Sequence, residues 1–259
     1  MFECCAPACC PDSKPIGPHL SDPADVSENW TMSPGTSKKS SRALRIDHAW
    51  ANSRSRWIAM LVAAVSLALC LVGGAIITSV LSGRPTTVDE ALYRAISGFR
   101  APWLTGPSLV LNQVGGGNVA LFVIPAIAAV LLLLTRGVWA ALVVLPLRPL
   151  TQWAVGFLKA VFDRPRPPHR EIVVSLSAYP SGHSAVAASL IVVLALLVRH
   201  WWFTAIGVIY VVAMGYSRLY LNLHWFTDTV GGTALGVAMG LAVWAAVGGI
   251  RSLVKRVRR

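Results

Sequence analysis

Long uncharged apolar runs alternate with short polar segments along this chain. Residues 57–83, 101–135 and 229–250 contain no charged side chain. A run of about 18 or more apolar residues is long enough to cross the hydrocarbon core of a bilayer as a helix. The pattern therefore predicts an all-α, polytopic membrane protein and not a soluble protein with a large core.

Six transmembrane helices are predicted from these apolar runs and the polar segments between them. We place them near residues 57–82, 116–135, 137–159, 183–198, 201–217 and 227–249. After the first helix, residues 81–105 alternate charged with apolar side chains: Asp89, Glu90, Arg94 and Arg100 with Leu92, Ile96 and Phe99. This amphipathic pattern predicts a short helix that lies along the membrane surface.

The two ends of the chain differ in composition from its middle. Residues 1–56 are rich in Pro, Ser and charged residues, which predicts a disordered cytoplasmic tail without a cleavable signal peptide. Residues 57–250 then form the six-helix membrane domain, and residues 251–259 form a basic cytoplasmic tail. The first tail contains Cys4, Cys5, Cys9 and Cys10, whose spacing is not that of a standard zinc site, and we interpret them as incidental.

The charge distribution indicates a membrane as partner and argues against nucleic acid. Charged residues make up 13% of the chain, whereas soluble domains carry about 25%. The net charge is +12, but many basic residues flank the predicted helices: Lys38, Lys39, Arg42, Arg45, Arg54 and Arg56 before the first, and Lys255, Arg256, Arg258 and Arg259 after the last. Such flanks are typical of cytoplasmic helix ends, so we expect both termini on the cytoplasmic side of a multi-pass plasma-membrane protein.

Some basic residues fall on the opposite, extracytoplasmic side in this arrangement. They are Lys159, Arg164, Arg166, His169 and Arg170 after the third predicted helix, and Arg218 after the fifth. Basic residues are disfavoured on that side, so they require a local reason. A bound anionic substrate would supply one, and it would place the site at the outer face.

The segment Pro180-Ser181-Gly182-His183 leads directly into the fourth predicted helix. Free backbone N–H groups at a helix N-terminus face any anion there, and glycine permits close approach of the backbone. Ser181 can add a hydroxyl donor, and His183 can protonate a departing oxygen. A helix cap with a chance histidine would explain the same four residues.

A histidine and an aspartate begin the last predicted helix. Asp228 follows His224 by four residues, so the two side chains share one helix face. The carboxylate can accept a hydrogen bond from one imidazole nitrogen and leave the other free as a nucleophile. A helix-capping pair is an alternative; a metal site is a poor one, because two ligands without further carboxylates bind weakly.

The segment at residues 159–167, KAVFDRPRP, supplies cations. Arg166 can grip two phosphate oxygens with its planar guanidinium, and Lys159 acts as a point charge. The prolines stiffen the loop and position these charges beforehand. We interpret Arg164, His169 and Arg170 as loop cations that contact anionic lipid headgroups.

Taken together, these residues match a known family. Lys159 and Arg166-Pro167, Pro180-Ser181-Gly182-His183, and Ser217-Arg218 with His224 and Asp228 resemble the three motifs of the type 2 phosphatidic acid phosphatase superfamily, complete and in order. With the six-helix plan, the resemblance covers roughly residues 57–250.

The resemblance implies a role for each matching residue. His224 would attack phosphorus to form a phosphohistidine, Asp228 would orient it, and His183 would protonate the leaving oxygen. The phosphoryl oxygens would be held by Lys159, Arg166, Arg218, Ser181 and the Gly182 amide. No metal or other cofactor is implied. The expected substrate is a lipid phosphate or diphosphate, with a polyprenyl diphosphate first and phosphatidate and phosphatidylglycerol phosphate as close rivals.

Two alternatives and one residue stay open. A non-catalytic lipid-binding or flipping protein would need only the cations, and a vanadate-dependent haloperoxidase would share the motifs but be soluble. Arg148 lies within the third predicted helix, eleven residues before Lys159 and on the same face, with Gln152 between them. We expect a structural role for Arg148, because it lies too deep for an outer site.

Overall fold

A chain of α-helices makes up the part of the protein that the structure describes. The computed structural model describes residues 52–116, 119–172, 174 and 177–258, which all belong to one unit. The four cysteines of the first tail, and that tail except for its last five residues, lie outside this part. Within it the helices are α1 Ser53–Ala75, α2 Thr87–Gly98, α3 Pro102–Gly115, α4 Ile124–Arg136, α5 Val138–Val144, α6 Leu147–Phe162, α7 Gly182–Val198, α8 Trp201–Tyr220 and α9 Phe226–Val257, and no strand occurs.

Four continuous helical segments are long and apolar enough to cross a membrane. They are Ser53–Val80, Val138–Phe162, Trp201–Tyr220 and Phe226–Val257. The first adds a π-helical turn to α1, and the second joins α5 and α6. Two shorter apolar helices, α4 and α7, lie where further spans were predicted. The all-α membrane class is therefore confirmed, whereas the count of six spans stays a prediction.

Two regions differ from the sequence-based expectation. Helix α3 occupies residues 102–115, ahead of the predicted helix at 116–135, and Pro102 begins it at a position where proline is well tolerated. Helix α9 continues to Val257, past residue 250 where the predicted membrane domain ended. Arg56 of α1 supports this extension, because its guanidinium donates to the Gly248 carbonyl and to the Ser252 hydroxyl.

Helix α2 forms within the predicted amphipathic segment. Thr86 caps it, because its hydroxyl accepts the Asp89 N–H while the Asp89 carboxylate accepts the Thr86 N–H. Asp89 is nevertheless buried, although the pattern assigned it to the polar face. The location of α2 along the membrane surface stays a prediction.

Helices α7 and α9 pack with their backbones in close contact. An added Cβ at Gly232 or Gly236 of α9 would overlap the carbonyl oxygen of Ser181 or Ala185, respectively. Small residues allow helices to approach this closely in membrane proteins. At the N-terminal ends of the two helices, the Ser181 N–H donates to the Asp228 carbonyl oxygen at 3.0 Å. The packing therefore brings the starts of two predicted motifs together.

We expect Gly236→Ala to destabilise the protein. The new methyl would press on the α7 backbone, which cannot rotate away as a flexible side chain could, and overpacking of this kind costs about 1–3 kcal/mol. Thermal unfolding of the purified protein in detergent would measure the change. The matched control is Gly249→Ala in the same helix, because an added Cβ there meets no atom within 4 Å. Equal melting temperatures for the two variants would contradict the prediction.

Candidate active site

The Pro180–His183 loop ends at the N-terminus of α7. Ser181 is the N-cap residue with an extended backbone, and the Gly182 and His183 amides belong to the first turn, where no intrahelical acceptor is available. The Tyr179–Pro180 peptide bond is cis. Ser181 is fully buried, and its hydroxyl accepts a hydrogen bond from the Ser184 hydroxyl. The loop is thus held in place while its amides stay available to an anion.

His224 lies in the short connection between α8 and α9, with its ring almost completely buried. Its Nδ1 lies 3.5 Å from Asp228 Oδ2, and its Nε2 lies 3.3 Å from Arg166 Nη1. The first distance is at the limit for a hydrogen bond, and Nδ1 has no partner of standard geometry among the described residues. The predicted pair is therefore brought together, with Nε2 turned towards the cations.

The surroundings of His224 keep its ring neutral. Burial lowers the pKa of His224 well below its ordinary value, and the positive charges of Lys159, Arg166 and Arg218 lower it further. The Ala178 carbonyl acts in the opposite direction but is outweighed. A neutral imidazole keeps a lone pair on one nitrogen, which is the form that can attack phosphorus.

Three cations are fixed around His224 by neutral oxygens. Lys159 donates to the carbonyls of Ser177 and Ala178, and Arg166 donates to the carbonyls of Leu223 and Ser177. Arg218 donates to Asn112 Oδ1 at 2.7 Å and to the Ser217 hydroxyl. These carbonyl and hydroxyl acceptors orient the three groups and carry no net charge of their own. The site is therefore prepared for an anion.

His183 points towards the end of α3. Its Nε2 lies 3.2 Å from the Asn112 carbonyl oxygen. An added Cβ at Gly115 or Gly116 would overlap the imidazole ring. Helix α3, which the sequence analysis did not predict, therefore shapes the site on the His183 side, and Asn112 links His183 to Arg218.

One cavity of about 270 Å³ joins these groups. Its described lining residues are Asn112, Gly115, Gly116, Arg148, Gln152, Val155, Lys159, Arg166, Val174, Gly182, His183, Arg218, Leu223 and His224. Six of the eight predicted site residues are among them. The other two, Ser181 and Asp228, are fully buried outside this lining, where they can act through the backbone and through His224.

Arg164 is a buried cation at the centre of the site. The sequence did not predict this position for it. Its Nη1 donates to Asp228 Oδ1 and to the Thr227 hydroxyl, and its Nη2 donates to Asp89 Oδ2 at 2.8 Å. The expected contact with lipid headgroups is wrong for this residue, because it is 1% exposed. No spacing in the sequence relates Arg164 to Asp89, which lies 75 residues earlier.

Asp89 is ionised in this network. Burial alone would raise the pKa of its carboxyl. Hydrogen bonds from the Thr227 backbone, Arg164 and Thr86 outweigh burial, so the pKa of Asp89 lies below its ordinary value. Because Thr227 and Asp228 are adjacent in α9, Asp89 and Arg164 together fix the start of that helix.

Several known proteins share sequence with this chain. The sequence model of the PAP2 superfamily matches residues 137–251. Phosphatidylglycerophosphatase B of Bacillus subtilis (strain 168) is 31% identical over 183 residues, which cover 67% of this chain and 88% of that protein. The chain belongs to the PAP2 superfamily. An undecaprenyl-diphosphatase of Sulfolobus acidocaldarius is 39% identical over 59 residues, 23% of this chain and 28% of that protein.

Two solved structures have a similar fold. The transmembrane PAP2-type phosphatidylglycerolphosphate phosphatase from Bacillus subtilis matches with a TM-score of 0.62 and 27% identity, over 75% of this chain and 98% of that chain. Aquifex aeolicus LpxE matches with a TM-score of 0.54 and 24% identity, over 61% and 95%. The second likeness concerns the fold alone.

The structure places the remaining cations of this PAP2 protein in two different environments. His169 and Arg170 are exposed and do not line the cavity, as expected for loop residues. Arg148 lines the same cavity as His224, so the expectation that it lies too deep for the site is wrong. Among the described residues, no group of three or more His, Cys, Asp or Glu side chains is arranged to hold a metal.

We expect Arg164→Gln to destabilise this PAP2 protein strongly. The substitution leaves Asp89 and Asp228 buried without their shared cation, and removal of one partner from a buried ion pair typically costs about 3–5 kcal/mol. Thermal unfolding of the full chain in detergent would measure the loss.

The matched control for Arg164→Gln is Arg94→Gln. Arg94 forms an exposed ion pair with Glu90 on α2, so its loss should change stability by no more than about 0.5 kcal/mol. A similar, small effect of both substitutions would contradict a structural role for the buried network.

Proposed function

We propose that this PAP2 phosphatase hydrolyses a lipid phosphate or diphosphate through a phosphohistidine at His224. The observation that carries the proposal is the environment of the neutral His224 ring, whose Nε2 lies against Arg166 in a cavity shared with Lys159 and Arg218. Such a cavity binds a phosphoryl group and offers it a nucleophile at the same point.

In the first step, the Nε2 lone pair of His224 attacks phosphorus. A P–N bond forms while the bond from phosphorus to the leaving oxygen breaks, and that oxygen accepts a proton from His183. The leaving oxygen belongs to the lipid alcohol in a monophosphate and to the inner phosphate in a diphosphate. A bound phosphate dianion favours the protonated form of His183 that this transfer needs. The Gly115 and Gly116 side of the cavity, against which His183 packs, then receives the leaving group.

The cations stabilise the charge that develops during this transfer. Lys159, Arg166 and Arg218 surround the position of the phosphoryl oxygens, and the Gly182 amide adds a donor from the N-terminus of α7. Phosphoryl transfer depends mainly on positioning and on this type of electrostatic stabilisation. In this proposal, fixed side-chain cations take the part that metal ions take in many phosphatases.

Asp228 is a positioning residue in the proposed reaction, because it acts through His224. When His224 becomes phosphorylated, its ring carries positive charge, and the carboxylate 3.5 Å from Nδ1 stabilises it. Arg164 and the Trp225 N–H hold the two carboxylate oxygens. In the second step, His183 removes a proton from water, the water oxygen bonds to phosphorus, the P–N bond breaks, and phosphate leaves.

Relatives support lipid substrates with phosphate head groups. The relative with the larger shared length is named a phosphatidylglycerophosphatase, and the shorter match is named an undecaprenyl-diphosphatase. Both a phosphatidylglycerol phosphate and a polyprenyl diphosphate are therefore candidates, with phosphatidate as a simpler alternative. The lipid tail would lie between helices and the head in the basic cavity.

We expect purified wild-type protein to release phosphate from at least one of these three lipids, and His224→Ala to release none.

Asp228→Asn should lower kcat more than it weakens binding, because the carboxylate acts on the phosphorylated ring. An excess of chelator should leave activity unchanged. Phosphate release measured in detergent at matched lipid concentrations would check these results.

Each arm of this assay can contradict a different part of the proposal. Activity retained in His224→Ala would exclude the phosphohistidine, and strong inhibition by chelator would indicate a metal. Binding of all three lipids without release would favour a lipid-binding or flipping protein.

The orientation of the site is also part of the proposal. We place the cavity at the extracytoplasmic face of the plasma membrane and both termini in the cytoplasm, because the basic flanks of the first and last helices favour that topology. A reporter inserted after Arg170 should then be active only outside the cytoplasm, and one fused to the C-terminus only inside. The reverse pair of signals would invert the topology.

A further inference from the structure

Arg148 lines the cavity, but it has no role in the phosphoryl-transfer steps proposed above. It lies in the first turn of α6, eleven residues before Lys159. A helix rises about 1.5 Å per residue, so the two Cα atoms are roughly 16 Å apart along the axis. Lys159 and Arg148 therefore enter the one cavity from backbone positions about three helical turns apart.

The guanidinium of Arg148 has N–H donors that no described residue accepts. Its Nε and Nη1 are shielded from solvent, and neither forms a hydrogen bond with any residue that the structure describes. None of the described residues that line the cavity is acidic. Shielded N–H donors without acceptors are costly in a membrane protein, and cations that present them commonly serve substrate binding.

Gln152 connects Arg148 to the phosphate-binding loop. An added Cβ at Gly182 would lie 3.8 Å from Gln152 Oε1, so this side chain reaches the loop. Arg148 precedes Gln152 by four residues, about one helical turn or 6 Å along α6. The sequence of groups along the cavity is therefore the Gly182 amide, the Gln152 amide and the Arg148 guanidinium.

The volume and the charge of the cavity both indicate what can bind beside Arg148. The cavity of about 270 Å³ exceeds the space needed by one phosphoryl group of five heavy atoms. Four cationic side chains, Arg148, Lys159, Arg166 and Arg218, line it, whereas a phosphate monoester carries at most two negative charges. A second anionic group would use both the remaining space and the remaining cation.

We propose that Arg148, with Gln152, binds the second phosphate group of a lipid substrate that carries two. This inference rests on the proposed function, since it assigns the first phosphate to His224. Two classes of lipid carry such a second phosphate group. One has a diphosphate on a single alcohol, and the other has a phosphodiester beside its terminal phosphate. The subsite selects both over phosphatidate, which has a single phosphate.

The test compares pairs of substrates that share a lipid tail and carry either one phosphate or two. Farnesyl diphosphate and farnesyl phosphate form one pair with an identical tail, and phosphatidylglycerol phosphate and phosphatidate form the other. Arg148→Gln should lower kcat/KM for the two-phosphate member of at least one pair roughly ten- to hundredfold, as expected for loss of a hydrogen-bonded charge. The one-phosphate member should change less than about threefold by the same reasoning.

The pair that responds identifies the source of the second phosphate. Arg148→Lys should lose less than Arg148→Gln, because it keeps the charge but not the planar fork. Arg94→Gln is the matched control, since it removes an exposed arginine far from the cavity lining, and it should change neither member. Equal losses for both members of each pair, or no loss for any substrate, would overturn the proposal.

A measurement on the wild-type protein covers the case in which Arg148→Gln fails to fold. Methylenediphosphonate should inhibit release from farnesyl phosphate at a concentration at least about tenfold lower than inorganic phosphate does. Equal inhibition would overturn the subsite. Phosphate release that depends on His224 but shows none of these differences would reject only the role of Arg148, whereas release that persists in His224→Ala would reject the proposed function itself.

Discussion

The close contact between the starts of α7 and α9 is the constraint on which the site depends. Glycines on α9 let its backbone approach that of α7, and the Ser181 N–H then reaches the Asp228 carbonyl oxygen. This contact sets the free amides at the start of one helix beside the histidine that precedes the other. A larger side chain at either glycine would separate the two motifs before it changed any catalytic group.

A second constraint is electrostatic. The site gathers several cations in a low-dielectric bundle, where repulsion between like charges is strong. The protein divides this charge into two layers. Asp89 and Asp228 neutralise Arg164 behind the site, while Lys159 and Arg218 donate to neutral oxygens at its front. The front layer therefore presents its charge to an anion, and burial together with these charges lowers the pKa of His224 and keeps its ring neutral.

The cavity also connects segments that lie far apart along the chain. Helix α3 shapes its His183 side, α6 contributes a row of polar side chains, and the connections around α7, α8 and α9 supply the remaining groups. Because the row on α6 continues inward beyond Lys159, the cavity is longer than one phosphoryl group requires. In the proposed reaction, head-group selection and phosphoryl transfer use different positions on this helix.

The sequence by itself determined the membrane class, most of the helix positions and six of the residues that line the cavity. Apolar run length and motif spacing are local properties, so they can be read from neighbouring residues. The partnership of Arg164 with Asp89, the contribution of α3 and the place of Arg148 in the cavity were decided only by the tertiary structure. Each depends on which helices become neighbours, and that choice is set by packing between segments as much as 75 residues apart. A charge pattern along one segment cannot reveal whether a cation faces lipid, a carboxylate or a cavity.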